Sequence, residues 1–316
     1  MTASEVTVYA QSLADILKAH AEWTLNPARG RQCRLRQVTL NEVEVRNAKL
    51  SRVWLEGVML VEADLSGADL SGAELSSVDL EGALLSGADF SRAQLHHVEF
   101  VRGYLSAACF AEAKIDGASF RQARLEGAAF QDATISHSEL AGADLNGALF
   151  HDAKLAVCDF SGCRMDGAQL PRVRAGRCRF PGATGSDVNF SGARLKDCDL
   201  SGAELYGAKF NGASLEETRL IRADLSGADF REAALAGSDF SRAVLRDVRM
   251  AGANVLGADF CGADLSGARD LTQQQLGQAR TDHGTILPNG SRGPYLRFSG
   301  AEKPNGSRGR DWKSIS

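Results

Sequence analysis

Large apolar residues recur at every fifth position through most of the chain. From Leu40 to Leu265, nearly every position divisible by five holds Leu, Phe, Ile, Val or Met, and a small residue stands two positions earlier. This period fits neither the 3.6 residues of a helical turn nor the two of a strand. It predicts a short extended segment with the large and small residues inward and the residue between them outward. The Ser-Gly pair that commonly follows predicts a corner, so the chain should coil.

The phenylalanines indicate how many sides one coil has. Every Phe within the repeat lies at a multiple of ten, and none lies at an odd multiple of five. An even number of sides places all these rings on two opposite faces, whereas a three-sided coil would scramble them from turn to turn. With four sides, the 46 consecutive five-residue segments make about 11.5 coils, or a rod of roughly 55 Å at a strand spacing of about 4.8 Å.

The repeat unit itself resembles a known family. A-D-L-S-G at residues 63–67 and 223–227, and A-D-L-N-G at residues 143–147, are similar to the units of bacterial-type pentapeptide-repeat proteins. The resemblance covers roughly three quarters of the chain. It implies an all-β solenoid, a right-handed quadrilateral β-helix with short capping helices at both ends. It implies little about function, because the defining residues are packing residues.

Composition divides the chain into four predicted regions. We expect an N-terminal capping helix and linker at residues 1–34, the pentapeptide-repeat β-helix at 35–268, a C-terminal cap at 269–287 and a disordered basic tail at 288–316. The tail contains the sequence P-N-G-S-R-G twice and is rich in Gly, Ser, Pro and Arg, a composition typical of disorder. The caps would cover strand edges that otherwise invite stacking of further chains.

Each cap carries its own helix signal. Apolar residues between positions 8 and 25, with His20 and Trp23 among them, approximate one face of a helix that plugs the first coil. In the C-terminal cap, Thr272 with Gln275 three residues later predicts a capping box. The resemblance also implies that such an end cap can form a homodimer.

Charge and cysteine content narrow the class of protein. The 316 residues carry a net charge of −4, and no apolar run approaches the length of a membrane span. The N-terminus lacks an export pattern, so we expect a cytoplasmic protein, with secretion by a signal-less route left open. The seven Cys include no C-x-x-C pair, which argues against a disulfide framework and a zinc site.

No arrangement of residues points to catalysis, a metal or a cofactor. The six His lack the H-E-x-x-H spacing, and no nucleophile elbow or phosphate-binding loop is present. The carboxylates lie one position before each large apolar residue, where we expect a solvated exterior. Five cysteines occupy small inward positions and should be inert, namely Cys33, Cys158, Cys163, Cys178 and Cys198. Cys109 and Cys261 occupy outward positions and should react first. The chain is therefore predicted to be non-enzymatic.

Residues twenty positions apart should stack along the rod, which predicts two charged surfaces. The first, here called the basic patch, contains Lys114, Lys154, Arg172, Arg174, Arg177, Arg179, Arg194 and Lys196. The second, the acidic column, contains Asp79, Glu99, Glu139, Asp159, Asp199, Asp239 and Asp259. Ser119, Arg179 and Arg219 interrupt the acidic column. Both surfaces are candidate binding sites.

The stretch at residues 171–190 departs from the repeat. Its inward positions hold Ala175, Phe180, Gly185 and Phe190, so two Leu are missing from one coil. Compensation of the lost volume by the two rings would explain the interior. It would not explain the outward arginines and the two prolines of this stretch. The arginines fit either a solvated run of charge or a site for an anion or an acidic partner.

Three functions remain open at this point. The first is a scaffold that binds a protein partner of unknown identity through its charged faces. The second follows from resemblance to the quinolone-resistance branch, whose rods mimic duplex DNA and bind a type II topoisomerase (gyrase). Residues 35–268 carry 24 basic and 33 acidic groups, a net charge of −9. Duplex DNA about 55 Å long carries roughly 32 negative charges, so the rod is much less highly charged. The third is a secretion-system effector or accessory. Direct binding of nucleic acid is not expected.

Overall fold

The chain winds into a four-sided parallel solenoid in the computed structural model, which describes residue 2, residues 7–9 and residues 11–304. One residue of each five-residue segment bridges in parallel to the residue twenty positions later, for example Asp79 to Glu99. Four such columns run along the rod, one on each side, and the others include Glu44 to Asp64 and Asp69 to Asp89 and the strand pair Trp54 to Glu74. The predicted quadrilateral solenoid is confirmed.

The regular elements are short because a corner follows every five residues. In chain order they are β1 (Thr7–Val8), β2 (Gln11–Ser12), α1 (Leu13–Leu25), β3 (Arg34–Arg36), β4 (Trp54–Glu56), β5 (Glu74–Ser76), β6 (Gln94–His96), β7 (Lys114–Asp116), β8 (Thr134–Ser136), β9 (Lys154–Ala156), β10 (Arg174–Gly176), β11 (Thr184–Ser186), β12 (Arg194–Lys196), β13 (Glu204–Tyr206) and α2 (Gln273–Gln278). β1 and β2 pair antiparallel, and β11 pairs with β13 in parallel.

One side of the rod forms the main sheet, in which β3 to β10 and β12 stack in parallel, without β11. This sheet has nine strands, slightly fewer than the predicted coil count. The difference arises because the same column continues past Arg194 as single-residue bridges through Ser214, Ala234 and Asn254 rather than as strands. Within the described part of the chain, neither helix has the length and the apolar run that a membrane crossing needs.

The core is a double stack of phenylalanine rings. Rings one coil apart in the same column lie face to face, with centroids 4.7 Å apart for Phe100 and Phe120. Rings from opposite columns meet edge to face, as Phe110 and Phe120 do at 5.6 Å. Rings within one column are parallel to one another and match the spacing between coils, which is one of the favoured geometries for aromatic pairs. The predicted placement of Phe on two opposite faces is confirmed.

Every corner of the coil uses a left-handed backbone. Each fifth residue from Gln37 to Gly267, two positions after the inward apolar residue, has a positive φ. Fewer than half of these residues are Gly, and the others even include the β-branched Val157 at φ 58°. A left-handed conformation strains residues with a Cβ, so the stacked coils must hold these corners in place.

Helices close both ends of the solenoid. α1 begins at Leu13, later than the predicted segment, because Ser12 caps it by accepting a hydrogen bond from the Asp15 amide at 3.1 Å. Leu13 and His20 are its buried residues. At the other end, Thr272 and Gln275 form the predicted capping box at the start of α2.

The structure differs from the predicted disordered tail over residues 288–304. The Asn289 amide donates to the Ala301 carbonyl at 3.2 Å, and Ala301 and Glu302 are buried. Tyr295 packs against the core. These few apolar contacts fold the segment back over the C-terminal cap. The Gly-rich composition of the segment did not indicate this. The rest of the predicted tail, residues 305–316, lies outside the described residues.

The irregular stretch at residues 171–190 fills its core by exchanging a large and a small position. A Cβ on Gly185 would lie 2.8 Å from Cγ2 of Val188 and 2.9 Å from the carbonyl carbon of Met165. Val188 stands where most segments have Ala, so its extra methyl groups occupy the space of the missing Leu. Phe180 and Phe190 meet edge to face like the other ring pairs. The swap accounts for Gly185 without a functional role.

Candidate binding faces

Part of the predicted basic patch forms a ladder on the main sheet. Lys154, Arg174 and Arg194 begin β9, β10 and β12 and are direct partners in the parallel register. The central residue of each of these strands is buried and the first is exposed, so the three basic side chains point outward. Neighbouring strands lie about 4.8 Å apart. Three cationic side chains are therefore held side by side on a fixed backbone.

Two further cations extend this ladder along the strands. Lys196 ends β12, two residues after Arg194 and on the same exposed face. Arg177 occupies the adjoining corner, and its amide donates to the Lys196 carbonyl at 2.9 Å. Across the residues that the structure describes, none of these five side chains has a carboxylate within 4.0 Å. We call Lys154, Arg174, Arg177, Arg194 and Lys196 the basic ladder.

The other three residues of the basic patch stand apart. Arg172 pairs with Asp152 at 2.6 Å, and Arg179 lies on the next face, 4.0 Å from Asp159. Lys114 belongs to the same column as the basic ladder but is separated from it by Thr134. Nearby, hydrogen bonds from His137 and Ser136 lower the pKa of Asp116 and keep a negative charge beside Lys114. The five residues of the basic ladder are thus the part of the patch that is free of counter-ions.

The acidic column lies on the neighbouring side, and its members bridge in register from Asp79 to Asp259, with Ser119, Arg179 and Arg219 between them. Its carboxylates also serve the fold. Asp159, Asp199 and Asp239 each accept a hydrogen bond from the amide two residues later, at 2.9, 3.0 and 2.9 Å. Such bonds stabilise a turn. Sequence reasoning missed this role, although the recurring Asp-x-Ser spacing is a signal for it.

Some carboxylates expected at the surface are in fact buried. Asp144 is 8% exposed, accepts from the Asn146 amide at 3.2 Å and pairs with Arg164. Asp264 is similarly buried; burial raises its pKa, but hydrogen bonds from Ser266 and Arg246 outweigh that effect and lower it overall. The expectation of a fully solvated acidic exterior is therefore wrong at these corners, because the carboxylate folds down over its own turn.

The cysteines mostly follow their predicted positions. The five at small inward positions are buried, namely Cys33, Cys158, Cys163, Cys178 and Cys198. Burial raises the pKa of Cys33 and of Cys163 to about 12. Cys109 and Cys261 are only half-buried, and burial with the neighbouring Asp259 raises the pKa of Cys261 to about 11. Thiolate reactivity at Cys261 is thus lower than its outward position predicted.

Solved structures with a similar coil include three pentapeptide repeat proteins. HetL, involved in heterocyst differentiation regulation in the cyanobacterium Nostoc, is 26% identical over 88% of this chain and 98% of its own, with a TM-score of 0.28. QnrB1, a plasmid-mediated fluoroquinolone resistance protein, is 25% identical over 66% and 89%, with a TM-score of 0.32. A protein of the Arabidopsis thaliana thylakoid lumen is 25% identical over 43% and 81%, with a TM-score of 0.27. No protein of curated function matches the sequence.

Family models match the repeat itself. The model described as "Pentapeptide repeat region" matches residues 73–150. The model described as "Pentapeptide repeats (8 copies)" matches residues 39–76, 48–87, 163–202, 198–235 and 228–267. These matches cover well over half of a chain whose coils, corners and Phe stack repeat with the same five-residue unit, and the protein belongs to the pentapeptide repeat family.

Proposed function

We propose that this protein is a non-enzymatic scaffold whose rigid solenoid binds an acidic protein partner through the basic ladder. The observation that carries the proposal is the alignment of Lys154, Arg174 and Arg194 on adjacent strands without a carboxylate within 4.0 Å among the described residues. Several arginines at corners elsewhere are ion-paired with an adjacent coil, as Arg92 is with Glu112. Cations left unpaired on an otherwise acidic rod are available to a partner.

The backbone beneath the basic ladder suits recognition by charge. Parallel hydrogen bonds fix the spacing of the strands, so the partner does not have to order the cations when it binds. Unpaired surface charges mainly accelerate association and select the partner rather than add affinity in proportion to contact area. Non-enzymatic action agrees with the structural roles that the carboxylates and buried thiols already have.

The test combines identification of the partner with charge reversal. A photo-crosslinking residue at Thr134, which lies beside Lys154 in the same column, captures the partner for identification by mass spectrometry. The purified partner is then bound to wild type and to the triple variant Lys154→Glu, Arg174→Glu, Arg194→Glu. We expect slower association and a weaker salt dependence in the variant, with little change in thermal stability.

A variant with the same change in net charge on another side of the rod is the control. Lys209→Glu, Arg249→Glu, Arg269→Glu reverses three cations of a neighbouring face, all in one column. Equal loss of association in both triple variants would mean that net charge, not the basic ladder, attracts the partner. Unchanged association in the Lys154, Arg174, Arg194 variant would refute the proposal.

The acidic column supports a second candidate, mimicry of duplex DNA towards a topoisomerase. Its register over successive coils, from Asp79 to Asp159, is the feature that favours this function. The test is a gyrase supercoiling assay with the purified rod and with a variant in which Asp79 and Glu99 become Asn and Gln. We expect no effect on supercoiling, because Arg179 and Arg219 break the column and its carboxylates accept hydrogen bonds from their own turns. Inhibition that is lost in the variant would establish the second candidate instead.

A further inference from the structure

A groove of about 520 Å³ lies on the corner after the acidic column, towards the C-terminal end of the rod. Three arginines line it, Arg219, Arg222 and Arg242. Arg222 and Arg242 occupy the same corner of consecutive coils, with φ angles of 58° and 59°. Arg219 lies on the adjoining face of the same coil, three residues before Arg222. None of the three was a candidate site residue in the sequence, where Arg219 was named only as an interruption of the acidic column.

These three arginines lack the ion pairs that arginines have at some other left-handed corners. Arg92 and Arg172 occupy equivalent left-handed corners, with φ 58° and 55°, and pair with Glu112 at 3.0 Å and Asp152 at 2.6 Å. Over residues 11–304, no carboxylate oxygen lies within 4.0 Å of the guanidinium groups in the groove. Three positive charges therefore border one concave surface without a direct ion pair among the described residues.

A buried hydroxyl in the same groove has no partner. Ser201 Oγ is the one buried side-chain oxygen or nitrogen among the described residues without a hydrogen bond. At matching corners the serine hydroxyl donates to the preceding carboxylate, as Ser71 does to Asp69 at 2.6 Å and Ser226 to Asp224 at 2.7 Å. At Ser201 only the amide binds Asp199. An unsatisfied buried hydroxyl is costly, and Ser201 gains a partner when its side chain rotates so that Oγ reaches a ligand in the groove.

The carboxylate that lines the groove does not oppose an anion strongly. Asp239 Oδ1 accepts from both the amide and the hydroxyl of Ser241, at 2.9 and 2.5 Å. Its charge is therefore partly balanced by its own turn. The groove keeps an excess of two positive charges, from three arginines and one aspartate.

We propose that this groove binds the phosphoryl group of a small phosphorylated molecule. A phosphoryl group offers several oxygens in different directions, which suits three arginines on two successive coils and a serine on the coil before them. Arginine binds phosphate through paired N–H donors, and a hydroxyl such as that of Ser201 completes the set. The site lies on a different face from the basic ladder and does not depend on the proposed protein partner.

Titration calorimetry with inorganic phosphate, pyrophosphate and acetate tests the proposal at constant ionic strength. We expect saturable binding of phosphate or pyrophosphate by the full chain and no binding of acetate. The double variant Arg222→Gln, Arg242→Gln should weaken binding at least about tenfold, since it removes two charge-assisted donors. The matched control Arg92→Gln, Arg172→Gln changes arginines at equivalent corners that are already ion-paired, and should change binding less than about twofold.

Ser201→Ala separates ligand binding from a structural role. The substitution removes a hydroxyl without a partner, so urea unfolding should show unchanged or slightly higher stability, while the affinity for phosphate or pyrophosphate falls several-fold. Absence of binding by wild type, equal binding of acetate, or equal loss in the Arg92 and Arg172 control would each overturn the proposal. So would a Ser201→Ala variant that binds as well as wild type.

Discussion

The first coils and the middle coils fill the same four-sided core with different side chains. Every inward position at a multiple of five between residues 35 and 85 holds Leu or Val, whereas Phe columns begin at Phe90. The first coils enclose an apolar cavity of about 30 Å³. Leu50, which lines this cavity, remains 6% exposed, whereas Phe120 in the middle is 0% exposed.

The difference shows what an aromatic ring contributes to a coil of fixed spacing. A flat ring stacks on the ring one coil away, as Phe110 does on Phe130 at 4.8 Å, and leaves no gap along the axis. A branched Leu cannot stack in this way, so adjacent Leu layers leave a void that α1 covers with Leu13 and Leu17. Because each coil contacts only its neighbours, local stability should follow local packing, with the N-terminal coils the weaker part.

Truncation of one ring and one Leu gives the largest expected effect. Phe120→Ala should lower the free energy of unfolding by about 3–5 kcal/mol, because it removes contacts with the stacked ring of Phe100 and with two rings across the core, those of Phe110 and Phe130. Leu50→Ala enlarges an existing cavity and should cost less, about 2–3 kcal/mol. Urea unfolding followed by circular dichroism measures both, and a Leu50→Ala cost equal to or above that of Phe120→Ala would break the comparison.

The next largest loss of stability is expected at the N-terminal cap, where His20 is held in one neutral form. His20 is 0% exposed, its Nδ1 accepts from the Cys33 amide at 2.9 Å, and its Nε2 lies 3.1 Å from the Ser51 carbonyl. His20→Ala leaves both backbone groups without this partner and should cost about 2–4 kcal/mol. Hydrogen exchange of the first coils should therefore accelerate, while exchange around Phe120 stays unchanged.

Acid should loosen the same end. Burial lowers the pKa of His20, with a smaller contribution from the charge of Arg52, while Asp69 acts in the opposite direction. The unfolded cap therefore takes up a proton before the folded cap does. Its stability is complete above the ordinary histidine pKa of 6.5 and declines as the pH falls below that value. The decline should be absent in His20→Ala; if both proteins show the same profile of hydrogen exchange against pH, His20 is not the group responsible.

The repeat makes most of the fold predictable, because packing along a solenoid is set by residues whose spacing is visible in the sequence. The period of five, the small residue before each large one and the Phe positions lead directly to the coil. Side-chain arrangements that depend on the next coil are not visible in this way. The folding of Asp144 over its turn and the exchange between Gly185 and Val188 require the coordinates.

The two candidate sites also differ in whether the sequence predicts them. The basic ladder follows from the twenty-residue step and could be predicted from the sequence. The arginine groove could not, since its evidence is the absence of ion pairs at Arg222 and Arg242 and the orphaned hydroxyl of Ser201. Whether a surface arginine is paired depends on the residue one coil away and on the conformation of both side chains, which the repeat does not determine.

A smaller change in stability is expected from relieving backbone strain at a corner of the middle coils. Val157 is 39% exposed and has a φ of 58°, a conformation that strains a β-branched residue. Val157→Gly should therefore stabilise the rod by about 0.5–1 kcal/mol, the strain relieved less the entropy of Gly in the unfolded chain. The reverse change at Gly162, which has φ 64° and no neighbour within 4 Å of an added Cβ, should destabilise it in urea melts. Destabilisation by Val157→Gly would show that the Val157 side chain makes contacts worth more than the strain.

The smallest effect comes from extending the Phe stack into the weak end. Leu60 lines the N-terminal cavity and lies in the column that continues through Leu80 to Phe100. The ring of Leu60→Phe has space to enter, so the free energy of unfolding should change by less than about 1 kcal/mol, and in the stabilising direction if the ring fills the void. Leu145→Phe adds the same ring on a side without Phe, at a residue that is 0% exposed, and should cost about 1–3 kcal/mol through overpacking. Urea melts of the two variants separate the effect of available volume from the effect of the ring itself. A cost at Leu60 as large as the cost at Leu145 would mean that the cavity cannot accept a ring. The absence of Phe would then not explain the looser packing of the first coils.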